Sequence, residues 1–363
     1  MSKRSDLTTG SGTAITLSRR KLLLATGAGI AAAGFGATPR ALAQATEKPD
    51  VKAAAAEGAV VVWHGDQEAD VVEFLKKFTE KTGVQAVQQR LLPGAAIPRL
   101  EAEFRTNSVS GDLYLTSDAG IMETFREQNR LMRYVPSEID AYGADYRSAE
   151  PGWWTTYYIN AGPMMYDPRF VKEGEAPKTW TDLLDPKWQG QIGFQNSSAG
   201  TSYAFWFVMR DVLPKDFFEK LSAQKPRAYA SSTQIQQDIE RGNLKIGGRV
   251  SIFQYVKAMR ANNPVKAVFP EIGTPSVNQV VSIFAPTKRP NGSKIFVDYL
   301  LSREGQQLWN DIQGSPSARA DVKVEHVPDL KTTKLLLPTN FAEYRNPANR
   351  KEFVAVWNKM TGL

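Results

Sequence analysis

Cysteine is absent from all 363 residues, and histidine occurs only at His64 and His326. The first absence removes disulfide staples, thiol nucleophiles, thiolate zinc sites and iron–sulfur clusters together. The second leaves any zinc site dependent on carboxylates. Neither a G-x-S-x-G elbow nor an H-E-x-x-H helix occurs, so two common hydrolase constellations are missing. No basic tract with interleaved aromatics is present either, which removes the footprint of a phosphate-tracking protein and sets nucleic acid aside as a partner.

Long apolar runs are lacking as well. Leu22 to Ala37 comes nearest, but it is interrupted by Gly27, Gly29, Gly34 and Gly36 and is too short and too weakly apolar for a good membrane span. Ser18-Arg19-Arg20-Lys21 precedes it and Ala41-Leu42-Ala43 follows, so residues 1–43 read as a cleaved export signal of the twin-arginine type. Leu22 and Leu24 depart from the usual Phe and Lys of that signal. Six basic residues and one acidic residue lie in this leader, so the formal charge of +7 falls to +2 for the remainder. The remaining 320 residues suffice for two lobes, and 42% hydrophobic with 10% aromatic residues supplies a core without disulfides.

The rest of the chain alternates strand and helix signals, the pattern of an α/β protein with mostly parallel sheets. Ala59 to Trp63 reads as a buried strand, Ala69 to Thr82 as an amphipathic helix ended by Gly83, and Val84 to Val87 as the next strand. Ligands of such sheets sit outside the carboxyl ends of the strands. The first loop in that position offers His64, Gly65, Asp66 and Gln67. A second unit places Ser117 and Asp118 between the strand Asp112 to Leu115 and the helix Ile121 to Glu127. Thr179 to Trp206 is the densest stretch, with turn signals, a strand over Ile192 to Phe194, and NSSAGTS before an aromatic helix. Ser197, Ser198, Gly200, Thr201 and Ser202 therefore stand at a helix start, where free N–H groups and the helix dipole favour negative charge. Further on, LKIGG (244–248) reads as a strand, Arg249 to Ala261 as a helix carrying Tyr255, and Ser293 to Trp309 as one long amphipathic helix. Arg249, opening its helix at a strand end, is placed to grip a carboxylate or phosphonate with two parallel bonds. Tyr157-Tyr158 lies on an extended run where alternate side chains point to opposite faces.

Four segments together carry a family resemblance. VVVWHGDQEADVVEFLKKFTEKTG, the W-x-D-L-L-D-P-K-W-x-G-x-I run from Trp180, VKAVFPEIGT and SKIFVDYLLSREGQQLW resemble, in that order, extracellular solute-binding proteins of ATP-binding-cassette importers. The branch is similar to the one that contains ferric-iron-binding proteins. The resemblance implies a two-lobed periplasmic-binding-protein fold of type II with two hinge strands, a small-molecule ligand between the lobes, and a permease with its ATPase as partners. It implies a periplasmic monomer with no cofactor and no catalytic residues. Lobe 1 is expected over 44–157 and 271–318, and lobe 2 over 158–270 and 319–363. In the iron branch a pair of adjacent tyrosines follows the strand matched by LKIGG, often with a histidine from the first loop. Here that stretch reads Gly248-Arg249-Val250-Ser251-Ile252 with Tyr255 alone further on, and Gln67 occupies the histidine's place. The expected ligand is therefore an organic anion, a carboxylate or phosphonate. Asp66, Glu68 and Asp118 supply carboxylates for an amine, which leaves a zwitterion open. Ferric iron on non-standard ligands is the first alternative. An exported hydrolase is the second, resting on Trp153, Trp154, Trp180 and Trp188 among carboxylates that no spacing pairs.

Overall fold

The computed structural model describes residues 47–198, 200–327 and 333–363, so the expected export signal, residues 1–43, lies outside the described residues. The chain runs α1 (Val51–Glu57), β1 (Val60–His64), α2 (Glu68–Thr82), β2 (Ala86–Arg90), α3 (Pro93–Arg105), β3 (Leu113–Thr116), α4 (Ala119–Glu127), β4 (Leu131–Met132) and β5 (Thr155–Ala161). It continues through β6 (Met164–Tyr166), β7 (Ile192–Gln195), α5 (Gly200–Met209), α6 (Phe217–Ala223), β8 (Arg227–Tyr229), α7 (Ser232–Glu240), β9 (Ile246–Gly247), α8 (Ile252–Arg260) and β10 (Lys266–Val268). It ends with β11 (Thr274–Phe284), α9 (Pro290–Leu301), α10 (Arg303–Gln313), β12 (Leu335–Leu336), α11 (Phe341–Tyr344) and α12 (Pro347–Thr361).

Two sheets organise these elements. The larger has the order β12-β11-β3-β1-β2, with β4 and β5 also pairing with β11. The smaller has the order β10-β6-β9-β7-β8. In each, the strands that carry candidate loops run parallel: β1 with β2 and β3, and β7 with β8 and β9. Chain passes between the sheets at Gly162-Pro163, from β5 to β6, and again between β10 and β11. β5 pairs antiparallel with β11 from Ser276↔Ala161 to Val281↔Thr155, so the two crossings leave the larger sheet side by side. That is a two-lobed α/β architecture with paired connecting strands. β5 lies as a unit in the larger sheet, whereas the expected lobe boundary divided it after Tyr157. β12 pairs with the start of β11, and α12 packs on α5 and α6 of the smaller lobe.

Local sequence accounts for most elements. In α2 the buried residues Val71, Phe74, Leu75 and Phe78 recur at helical spacing, and Gly83 closes the helix in a left-handed conformation with its N–H on Thr79 O. Val72 faces solvent instead. The single helix expected over 293–309 is two, α9 and α10. Ser302 breaks the run, because it adopts an extended conformation and its hydroxyl accepts from Gly305 N as the cap of α10. The cores are aromatic: Phe74, Phe78, Phe296 and Trp309 in the larger lobe, and Trp180, Phe205, Trp206 and Trp357 in the smaller. Among the described residues, no helix is long and apolar enough to cross a membrane.

Candidate functional site

In the smaller lobe, the carboxyl ends of β7 and β9 open toward two helix starts, those of α5 and α7. Gln195, the last residue of β7, joins them: its Oε1 accepts from Thr201 Oγ1 at 3.2 Å and from Ser232 Oγ at 3.1 Å, and its carbonyl accepts from Ser202 Oγ at 3.3 Å. Ser232 Oγ also lies 3.3 Å from Ser251 Oγ. Ser251, rather than Arg249, is the residue that precedes α8. Arg249 itself lies in the turn between β9 and α8.

Arg249 is only 3% exposed. Its Nη1 donates to Ser251 Oγ at 3.2 Å, and its Nη2 makes a long contact of 3.4 Å with Asn160 O in β5. Nε has no partner. Among the described residues no aspartate or glutamate pairs with the guanidinium, and burial pushes its pKa down to about 10. The side chain lies flat against Gly162, where an added Cβ would stand 2.3 Å from Nε. A glycine is required there, because this cation occupies the space a side chain would fill. Asn160 completes the group, with Nδ2 donating to Ser251 Oγ at 3.2 Å and Oδ1 unpartnered.

The larger lobe closes over this face. Gln67, the residue before α2, reaches across and donates from Nε2 to Thr233 Oγ1 at 3.1 Å, while Gln254 Nε2 reaches the same oxygen at 3.0 Å. Lys257 on α8 places Nζ 2.7 Å from both oxygens of Asp70 on α2. At the other side, Gly200 sits so near Ser117 that an added Cβ would stand 2.7 Å from Ser117 Oγ. Gly94 at the start of α3 faces the backbone of Ser198. The lobes are therefore in contact through two sets of residues, Gln67 and Asp70 with Thr233 and Lys257, and Gly94 and Ser117 with Ser198 and Gly200.

Asp66 occupies a different place from the expected one. It is buried, and its two carboxylate oxygens accept from Tyr157 OH at 2.5 Å and Tyr158 OH at 2.7 Å. Adjacent residues of a regular strand could not both do this. A β-bulge permits it: Tyr158 pairs with Gln279 and Thr156 with Val280, so Tyr157 is the extra residue. The expectation that the two phenols point to opposite faces is corrected accordingly. Both rings pack on Trp309, at centroid distances of 5.3 and 6.0 Å. Burial holds the Asp66 carboxyl above its usual range although the phenols oppose this, and burial together with the Asp66 charge keeps both phenols well above theirs. The cluster anchors the first loop to the connecting strand. His64 beside it is fully buried, with Nε2 on Gln88 Oε1 at 2.8 Å and Nδ1 unpartnered. Gly65 gives its N–H to Leu115 O at 3.1 Å.

The remaining sequence candidates separate. Asp118 caps α4 by accepting from Ile121 N and takes Arg350 Nη2 at 3.1 Å, so its carboxylate is committed. Tyr255 packs with the cluster of Ile235, Ile239 and Val250, while its neighbours Gln254 and Lys257 turn toward the opposite lobe. Ser197 is partly exposed and Ser198 exposed; the Ser198 N–H and hydroxyl both donate to Asn196 Oδ1. The sequence reading missed Asn160, Gln195, Ser232, Thr233, Ser251 and Gln254. Ser231-Ser232-Thr233 before a helix repeats the signal that singled out NSSAGTS, and could have been found by it.

The fold and the closed interlobe face define a two-lobed binding protein of the type II periplasmic architecture. Residues 109–346 match the family described as bacterial extracellular solute-binding protein, and the chain belongs to that family. An uncharacterized protein of Haemophilus influenzae is 26% identical over 297 residues, 78% of this chain and 84% of that protein. The Fe(3+)-binding periplasmic protein of Serratia marcescens is 18% identical over 275 residues, covering 71% and 78%. Among solved structures, the periplasmic binding protein AfuA from Actinobacillus pleuropneumoniae, with fructose-6-phosphate bound, aligns at a TM-score of 0.73 and 22% identity over 84% of this chain and 99% of that one. Iron-bound HitA from Pseudomonas aeruginosa aligns at 0.71 and 16% identity, covering 84% and 100%. These two likenesses show the fold.

Proposed function

We propose that the protein is the periplasmic substrate-binding component of an ATP-binding-cassette importer, exported by its cleaved signal and working as a monomer. It captures a small organic anion, a carboxylate or phosphonate, between its lobes and delivers it to a permease driven by an ATPase. The observation that carries the anion is Arg249, a buried cation bonded to Ser251 at the start of α8, with no carboxylate beside it among the described residues. A buried charge is stabilised only by a partner, and closure around a ligand that touches both lobes supplies one. The Serratia marcescens relative and AfuA are named as binding proteins, which supports binding without turnover.

Ferric iron is a second reading because Tyr157, Tyr158 and Asp66 gather hard oxygen donors, and because two similar proteins are named for iron. It is weaker. Tyrosinate ligation needs phenols that lose their protons, whereas these two are held well above their ordinary range and donate to Asp66. Thermal shift with an anion panel, run beside visible absorbance after ferric iron is added, tests both. Stabilisation by an organic anion that is lost in Arg249→Met supports the proposal. A tyrosinate-to-iron absorption band with no anion response rejects it. Chemical turnover of a bound compound rejects the transport role.

A further inference from the structure

We infer that the captured solute is a monoanion, one carboxylate on an otherwise uncharged, hydroxyl-bearing molecule. The inference rests on the anion-binding reading above and narrows it through the charge balance of the interlobe face.

The cations of that face differ in what they already hold. Lys257 is neutralised by both oxygens of Asp70. Arg350 is paired with Asp118. Arg90 donates from Nε to the backbone carbonyl of Asp66 and is exposed, so water screens what remains of its charge. Arg249 alone is both buried and without a counter-charge among the described residues. One such cation balances one negative charge. A second charge on the ligand, as in a dicarboxylate or a phosphate monoester, would enter a closed, low-dielectric space without a partner.

The acids are just as fully committed. Asp66 accepts from two phenols, Asp70 holds Lys257, and Asp118 caps a helix and holds Arg350. Glu68 accepts from Gln88 Nε2 and stands exposed at the rim. Every oxygen of the three buried carboxylates already has a donor, which argues against the zwitterion that the sequence left open; Asp66, held by neutral phenols alone, is the one of the three that an ammonium group could still meet, and alanine and serine test it. What is left is an acceptor: Asn160 Oδ1 is buried and unpartnered, and its Nδ2 donates to the same Ser251 Oγ that takes Arg249 Nη1. An orphaned acceptor beside the cation calls for a donor without charge, which a hydroxyl next to the carboxylate provides.

The test uses solutes matched in skeleton and different in charge, measured by isothermal calorimetry on the full-length protein purified free of ligand. Lactate, glycerate and gluconate are the monoanions; alanine and serine are the zwitterions; malate and fructose 6-phosphate are the dianions. At least one hydroxy monocarboxylate is expected to bind on the order of 100-fold tighter than its zwitterionic and dianionic counterparts, the range that a buried charge mismatch produces. Arg249→Met should weaken it by about the same factor, and Arg249→Lys, which keeps the charge and loses the fork, by less. Circular dichroism and cooperative melting establish that both variants fold. If malate, fructose 6-phosphate or serine binds more tightly than every monocarboxylate, and does so through Arg249, the monoanion inference is overturned and the anion site stands. If no anion binds, or binding survives Arg249→Met, both fall.

Discussion

Replacing Arg249 with methionine should make the ligand-free protein more stable while weakening capture of the anion by about 100-fold. The reasoning starts from the side chain's surroundings: a guanidinium 3% exposed, with Nε unpartnered and no carboxylate beside it among the described residues. Burial lowers its pKa from the ordinary arginine range to about 10. Carrying that charge at neutral pH therefore destabilises the folded state by about 3 kcal/mol. Methionine is unbranched and fills the same channel along Gly162, so lost packing and two lost hydrogen bonds return about 1–2 kcal/mol of that gain. The net expectation is a gain of about 1–2 kcal/mol in urea denaturation at pH 7, seen as a rise of a few degrees in melting temperature. The pH dependence supplies a second check. Above pH 10 the folded protein releases the Arg249 proton before the unfolded chain does, so the unfolded state binds more protons there and wild-type stability gains a rising contribution that the variant lacks. Destabilisation of Arg249→Met by 2 kcal/mol or more would refute the argument, because it would mean that Ser251 and Asn160 already satisfy the cation and that no ligand charge is needed.

Three further outcomes follow from the same geometry. Gly200→Ala would press a methyl against Ser117 Oγ, 2.7 Å away, but the hydroxyl can turn aside and the next atoms stand at 3.6 Å or more, so affinity should fall only about two- to fivefold with little change in the melting of the open form; adding Ser117→Gly should restore it in a double-mutant cycle. Asp70→Asn removes one half of the bidentate contact with Lys257 that ties α2 to α8, so small-angle scattering of the ligand-free variant should show a larger radius of gyration; an unchanged curve would show that the pair does not hold the lobes together. Asp66 has a folded pKa above its unfolded value, so the native state binds more protons between the two; stability should fall as pH rises through that window above the ordinary aspartate range, and melting temperatures of Asp66→Asn should lack this fall.

The lobes were legible in the sequence because their signals are local. Val71, Leu75 and Phe78 at helical spacing, the glycine at 83, the strand runs read at 59–63 and 112–115 and found one residue later, and the loops after them all follow from neighbours in the chain. One loop at the end of a strand, 64–67, does reach the opposite lobe, through Gln67. The errors arise where two distant segments decide the geometry. Nothing in TTYYINA announces that Tyr157 is skipped in the ladder; the bulge depends on register with β11, more than a hundred residues away, and the partner that makes it worthwhile is Asp66 on a third element. The same holds for Arg249. Its residue type and its place after a strand made it a candidate, but what distinguishes it from an ordinary surface arginine is its burial without an acid around it among the described residues, and the burial and pairing of acids are properties of the closed fold. Asp66, Asp70 and Asp118 are equal in the sequence to any carboxylate able to meet it. The structure removes each by giving it another partner, so the specificity of the site is set by pairings outside it as much as by the residues that line it.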